Sequence, residues 1–97
     1  MTDAHWLIVY DIRDSRRLRK VEKCMNSYAH RVQNSVFEAT ANTQVIARLK
    51  ERLTALVAEE DFVLFFKVCE KDWQKQEVYG RHVPDDEKMK DDSFLVL

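Results

Sequence analysis

Residues 5–14 read HWLIVYDIRD. Trp6, Leu7, Ile8, Val9, Tyr10 and Ile12 are side chains for an interior, and Asp11 among them is not. The apolar residues run on without the alternation of a strand that has one wet face, so the stretch predicts a strand buried on both faces. It ends on a carboxylate and passes at once into a cluster of arginines, and that junction calls for a chemical reason.

Outward from this strand, Asp14 reads as an N-cap and Ser15 as the first residue of a helix. Leu18, Val21, Met25 and Tyr28 recur at spacings of three and four, one apolar stripe on an amphipathic helix. Arg16, Arg17, Arg19, Lys20 and Lys23 take the remaining faces. Residues 30–40, HRVQNSVFEAT, alternate only in part, which predicts a bend, a bulge, or two short strands meeting near Asn34. Asn42 or Thr43 caps a second helix, whose apolar face is Val45, Ile46, Leu49, Leu53, Leu56 and Val57. Residues 62–69, FVLFFKVC, are aromatic and β-branched and read as another buried strand. A short helical turn is expected within 70–76 and a brief edge strand at Val78 and Tyr79. Residues 81–92 are polar, contain Pro84 and read as an exposed connector. The closing Phe94-Leu95-Val96-Leu97 is apolar and needs cover, since a free apolar tail invites aggregation.

Strand, helix, two strands, helix, strand is the order of a ferredoxin-like α+β sandwich, βαββαβ, with both helices on one sheet face. The expected organisation is a domain over 1–80, then a connector and C-terminal strand over 81–97. Strands apolar on both faces need cover on the side away from the helices. A second copy packed face to face supplies it, and gives the C-terminal strand a partner edge to join.

Composition narrows the function. At 97 residues one domain buries roughly 60–65% of the surface its unfolded chain exposes, so a partner subunit adds needed stability. A single Gly leaves no room for a glycine-rich phosphate loop, and a net charge of −1 gives no bulk attraction to nucleic acid, so any such contact must be a local patch. Asp3 stands where a secretory leader carries basic residues, and no run approaches the ~20 apolar residues of a membrane span. Cys24 and Cys69 make no disulfide framework, so a reduced, cytoplasmic setting is expected.

Asp11 has two readings: a carboxylate capping a nearby turn, or a metal ligand at a rigid strand end. Mg²⁺ suits the second, because it keeps several waters and takes only one or two protein carboxylates. Two copies about a two-fold axis would bring two such acids together. Arg13, Arg16, Arg17, Arg19, Lys20 and Lys23 likewise form either a solvated helix face or a phosphate-contact surface. His5, His30 and His82 have no zinc-site spacing with the cysteines.

Two segments carry a resemblance. VYDIRDSRRLRKV (9–21) and RVQNSVFEA (31–39) together resemble the signatures of the CRISPR-associated protein 2 family, small adaptation proteins described as endoribonucleases. The resemblance implies a ferredoxin-like homodimer whose C-terminal strand reaches across to the other subunit. It implies Mg²⁺ at Asp11, with Tyr10, Ser35 and Phe37 beside it as catalytic-site residues. It implies nucleic acid along Arg13, Arg16, Arg17, Arg19, Lys20 and Arg31. The activity implied is metal-dependent cleavage of phosphodiesters of RNA or DNA, within the spacer-integration machinery. The alternative is a non-catalytic scaffold that bridges integrase (CRISPR-associated protein 1) dimers and supports duplex DNA; a third is a toxin-type messenger-RNA nuclease. Ala39 stands where family members often have glycine, and Leu18 where many have arginine.

Overall fold

The structure is a computed structural model and describes residues 3–77 and 79. The elements run β1 (Ala4–Asp11), α1 (Ser15–Asn26), β2 (His30–Gln33), β3 (Val36–Ala41), α2 (Thr43–Thr54), β4 (Phe62–Val68) and α3 (Glu70–Gln74). The strands form one antiparallel sheet in the order β2-β3-β1-β4. This is the ferredoxin-like α+β arrangement, with β1 at the centre and β4 along one edge.

Local chemistry explains the element ends. The Asp14 carboxylate accepts hydrogen bonds from the backbone N–H groups of Arg16 and Arg17, both at 3.0 Å, so two of the orphan donors of α1 are satisfied. Asn42, rather than Thr43, caps α2, accepting from the Val45 N–H at 3.0 Å. Residues 30–40 resolve into β2 and β3 around Asn34 and Ser35, with a register shift between Arg31 and Gln33. Ser35 takes φ 69°, a left-handed conformation uncommon for a residue with a Cβ. Its carbonyl accepts from the Tyr10 N–H at 3.1 Å and so ties the turn to β1.

The helices cover one sheet face. Ile8, Tyr10 and Phe37 pack against Val21, Cys24 and Met25 of α1 and against Leu49 and Leu53 of α2. Trp6, Ala39, Ala41 and Ile46 continue the core. Burying a side chain the size of Ile8 or Phe37 stabilises by roughly 1.5–3 kcal/mol relative to exposure. The indole N–H of Trp6 donates to the Ala41 carbonyl at 3.2 Å, so its burial leaves no orphan donor. Both cysteines are free thiols.

The expectation of a strand buried on both faces is corrected. In β1, Trp6, Ile8 and Tyr10 are buried, while Leu7 and Val9 between them are only half-buried. In β4, Phe62, Leu64 and Phe66 are exposed by 48%, 39% and 48%. Register puts Leu7 beside Phe66, Val9 beside Leu64 and Val36, and Asp11 beside Phe62 on the same open face. Both faces of the sheet are apolar, but within one chain the helices cover only one. The short strand expected at Val78–Tyr79 is not formed at Tyr79, which is exposed and whose hydroxyl donates to Glu77 at 2.7 Å. Val78, the connector 81–92 and the closing Phe94–Leu97 lie outside the described residues.

Candidate metal and nucleic-acid site

Asp11 ends β1 with its side chain 60% exposed. Its one partner among the described residues is Arg13, whose Nη1 lies 3.3 Å from Oδ2. The capping reading of this carboxylate fails, because other acids do that work. Asp14 caps α1, and Asp61 accepts the Arg13 backbone N–H at 2.9 Å. Asp11 is thus a solvent-facing acid at the end of a rigid strand, with no structural duty that its geometry reveals.

Asp61, just before β4, is the opposite case. Its side chain is fully covered. It accepts from the backbone N–H groups of Arg13 and Ala58 and from Nε and Nη2 of Arg17, at 2.8–3.1 Å. Glu60 takes a further Arg17 bond at 2.9 Å. The Arg17 guanidinium, helped by those N–H groups, holds the Asp61 carboxyl well below the usual carboxylate range. Arg17 is pushed up in return, chiefly by its bonds to Asp61. Arg17, expected on the nucleic-acid surface, is therefore engaged within the chain as a clamp between the start of α1 and the α2–β4 connection.

Tyr10 and Phe37 lie on the helix side of the sheet, away from the open face that carries Asp11, and both pack in the core. Phe37 is fully buried and the Tyr10 ring lies 5.8 Å from it. The Tyr10 hydroxyl donates to Glu22 at 2.6 Å. Burial first, then that bond, pushes its pKa well above the ordinary phenol value, so it remains protonated. Arg31 meets the same Glu22 at 3.1 Å and sits over the Phe37 ring, 5.4 Å from its centroid. Arg31 closes a buried edge and is half-covered there. Ser35 sits on the turn beside Tyr10, exposed, contributing its carbonyl to β1.

Of the expected contact residues, Arg16, Arg19 and Lys20 are exposed on α1, with no carboxylate partner among the described residues, and Arg13 is exposed beside Asp11. No group of three His, Cys, Asp or Glu side chains that could hold a metal occurs among the described residues. Sequence reasoning missed Asp61 and Glu22. Asp61 carries a signal of sorts, an acid abutting an apolar strand as Asp11 does, but its partner lies 44 residues away.

The profile of the family described as CRISPR associated protein Cas2 matches residues 4–76, the whole described domain but for its ends. The chain belongs to this family. It is 40% identical over 65 residues to a CRISPR-associated endoribonuclease Cas2 of Rhodospirillum rubrum, covering 66% of this chain and 52% of the relative. It is 46% identical over 59 residues to the CRISPR-associated endonuclease Cas2 of Halalkalibacterium halodurans, covering 56% of this chain and 62% of the relative. The matched stretch thus spans between half and two thirds of the length of these Cas2 relatives. Among solved structures, a Thermus thermophilus protein titled hypothetical protein TT1823 superposes with a TM-score of 0.76 at 28% identity, over 86% of this chain and 99% of the other. The Streptococcus pyogenes Cas2 structure superposes at 0.67 with 35% identity, over 78% and 99%. Cas2 relatives are named endoribonucleases and endonucleases, and no helix among the described residues is long and apolar enough to cross a membrane.

Proposed function

We propose that this Cas2 chain works as a homodimer that cleaves phosphodiesters, with Asp11 of each subunit facing a shared groove and Mg²⁺ held between them. The observation that carries this reading is the isolation of Asp11: an exposed carboxylate beside an uncovered apolar sheet face, with no capping duty. One carboxylate, with no cluster of further ligands among the described residues, does not hold a cation firmly within one chain. Two such acids brought together do fit a hydrated Mg²⁺, which needs few protein ligands. Bound there, the ion supplies a water of lowered pKa and neutralises charge on a phosphate oxygen.

The chain's own residues do the rest. Leu7, Val9, Leu64 and Phe66 form the dimer contact, excluding water beside the groove. The Arg13 guanidinium, 3.3 Å from the Asp11 carboxylate, puts a cation beside the groove. Arg16, Arg19 and Lys20 steady the phosphate backbone, and Arg17 positions the start of α1 through Asp61 instead of touching substrate. The test is cleavage of labelled RNA and of duplex DNA with and without Mg²⁺. Asp11→Asn is expected to abolish metal-dependent cleavage, and cleavage at the wild-type rate would remove Asp11 from the mechanism.

A second reading is favoured by one observation. Arg16, Arg19 and Lys20, without a carboxylate partner among the described residues, lie on α1 in the helix layer, while Asp11 belongs to the other face. A ridge of that kind suits a non-catalytic scaffold that lays duplex DNA across its basic surface and bridges CRISPR-associated integrase dimers. Spacer integration with the Asp11→Ala protein separates the two: integration retained while cleavage is lost assigns the scaffold role.

A further inference from the structure

Between α1 and α2 lies a cleft of about 240 Å³ lined by Lys20, Lys23, Cys24, Ser27, Arg52 and Leu56. Among the described residues, none of its three cations forms an ion pair with a carboxylate. Arg52 is held by its Nη1 bond to the Tyr28 hydroxyl, 3.2 Å, and lies over that ring, 5.5 Å from its centroid. Glu22, the acid between Lys20 and Lys23 in sequence, is taken by Tyr10 and Arg31. Lys20 and Lys23 stand three residues apart on one helix, a spacing at which like charges repel. The cleft therefore gathers positive charge that the acids of the described domain leave unanswered.

The acids that match it lie further along the chain. Residues 84–92 read PDDEKMKDD, five acids against two lysines, in a chain whose net charge is only −1. The run lies outside the described residues but follows them closely. Eight residues separate Glu77 from Asp85, up to roughly 26–29 Å of chain at 3.3–3.6 Å per residue. That length is enough to round an edge of a domain with principal extents of 37, 35 and 21 Å. A tether this short sets an effective concentration on the order of millimolar. Ion pairs that are individually weak and screened by salt then suffice to hold the run.

We propose that the acidic run Asp85–Asp92 docks into this cleft of its own chain, its carboxylates pairing with Lys20, Lys23 and Arg52. Met89, in the middle of the run, meets the apolar floor of Cys24 and Leu56. The docking depends on neither the nuclease nor the scaffold reading. Its consequence is self-masking, since any polyanion that reaches Lys20 must first displace the run.

Carbodiimide cross-linking tests it, because this reagent joins a carboxylate to a lysine amine only where the two touch. The intact protein, as an equimolar mixture of unlabelled and ¹⁵N-labelled chains, is treated at low and at high salt and the products are mapped by mass spectrometry. Lys50, which lies over the Trp6 and Phe65 rings and does not line the cleft, is the control. At about 0.02 M salt, links from Lys20 and Lys23 to the acids of 85–92 are expected to exceed those from Lys50 by at least about fivefold, and at about 0.5 M to fall to parity. Both halves of each product are expected to carry the same isotope. Equal yields at Lys50 at low salt, or no links to 85–92, overturn the proposal. Mixed-isotope products overturn it in favour of docking on a second copy. Amide chemical shifts give an independent measure. The triple variant Asp85→Asn/Asp86→Asn/Glu87→Gln is expected to move the amides of Lys20, Lys23, Ser27 and Arg52 and to leave those of β3 in place. Cleft amides unmoved at low salt overturn the proposal as well.

Discussion

Asp11 and Asp61 are both acids at strand ends, and their surroundings part them. Asp61 accepts four hydrogen bonds and its carboxyl is held below the ordinary range, so it is a structural acid. The unfolded chain binds that proton at about pH 3.9, and the folded chain only at lower pH. The stabilisation is therefore complete above the unfolded value and is lost as the pH falls through the folded one. Thermal melts between about pH 5 and pH 2 are expected to show a steep loss of stability in the wild type and a shallower one in Asp61→Asn, which starts from a lower melting temperature. Ser35 permits a complementary test. Its carbonyl, not its side chain, holds β1, and its φ is positive. Ser35→Gly is expected to match or exceed wild-type stability by up to about 1 kcal/mol in denaturant titration, because glycine takes this conformation without a Cβ penalty. Unchanged cleavage in the same variant removes the hydroxyl from the chemistry.

At the scale of elements, the strongest sequence signals were local ones. Asp14 is the cap because its acceptor lies within three residues of the donors it serves, and Leu18, Val21 and Met25 define a face because a helix repeats over short distances. Asp14→Ala is expected to cost about 1 kcal/mol, seen as a melting temperature lower by roughly 4–8 °C. Contacts set by the fold were not legible. Nothing in the sequence joins Arg17 to Asp61 or His5 to Glu70, which meet at 2.8 Å and 2.6 Å across most of the chain. The continuous run Trp6–Tyr10 predicts double burial because apolarity marks a face that needs cover, without saying whether the cover comes from the same chain. Tyr10 and Phe37 sit in the signatures that carry the family resemblance, yet here their side chains are core.

For the whole molecule, the uncovered face of the sheet decides the state of association. Phe62, Leu64 and Phe66 are exposed on β4 with Leu7 and Val9 beside them, an apolar surface continuous enough to act as an interface. The wild type is expected to sediment as a dimer. Leu64→Lys, which places a charge at that surface without touching the core, is expected to shift it to monomer by at least tenfold in dissociation constant, and a monomeric wild type would remove the shared groove. The two tryptophans offer a view of the same face from within. Trp6 is sealed in the core, whereas Trp73 on α3 lies flat against His5 at 4.3 Å, at the far end of β1 from Asp11. The protein therefore carries one shielded emitter and one half-buried emitter at the end of β1 away from Asp11, and iodide quenching of its fluorescence reports whether a second subunit covers that end, without any label.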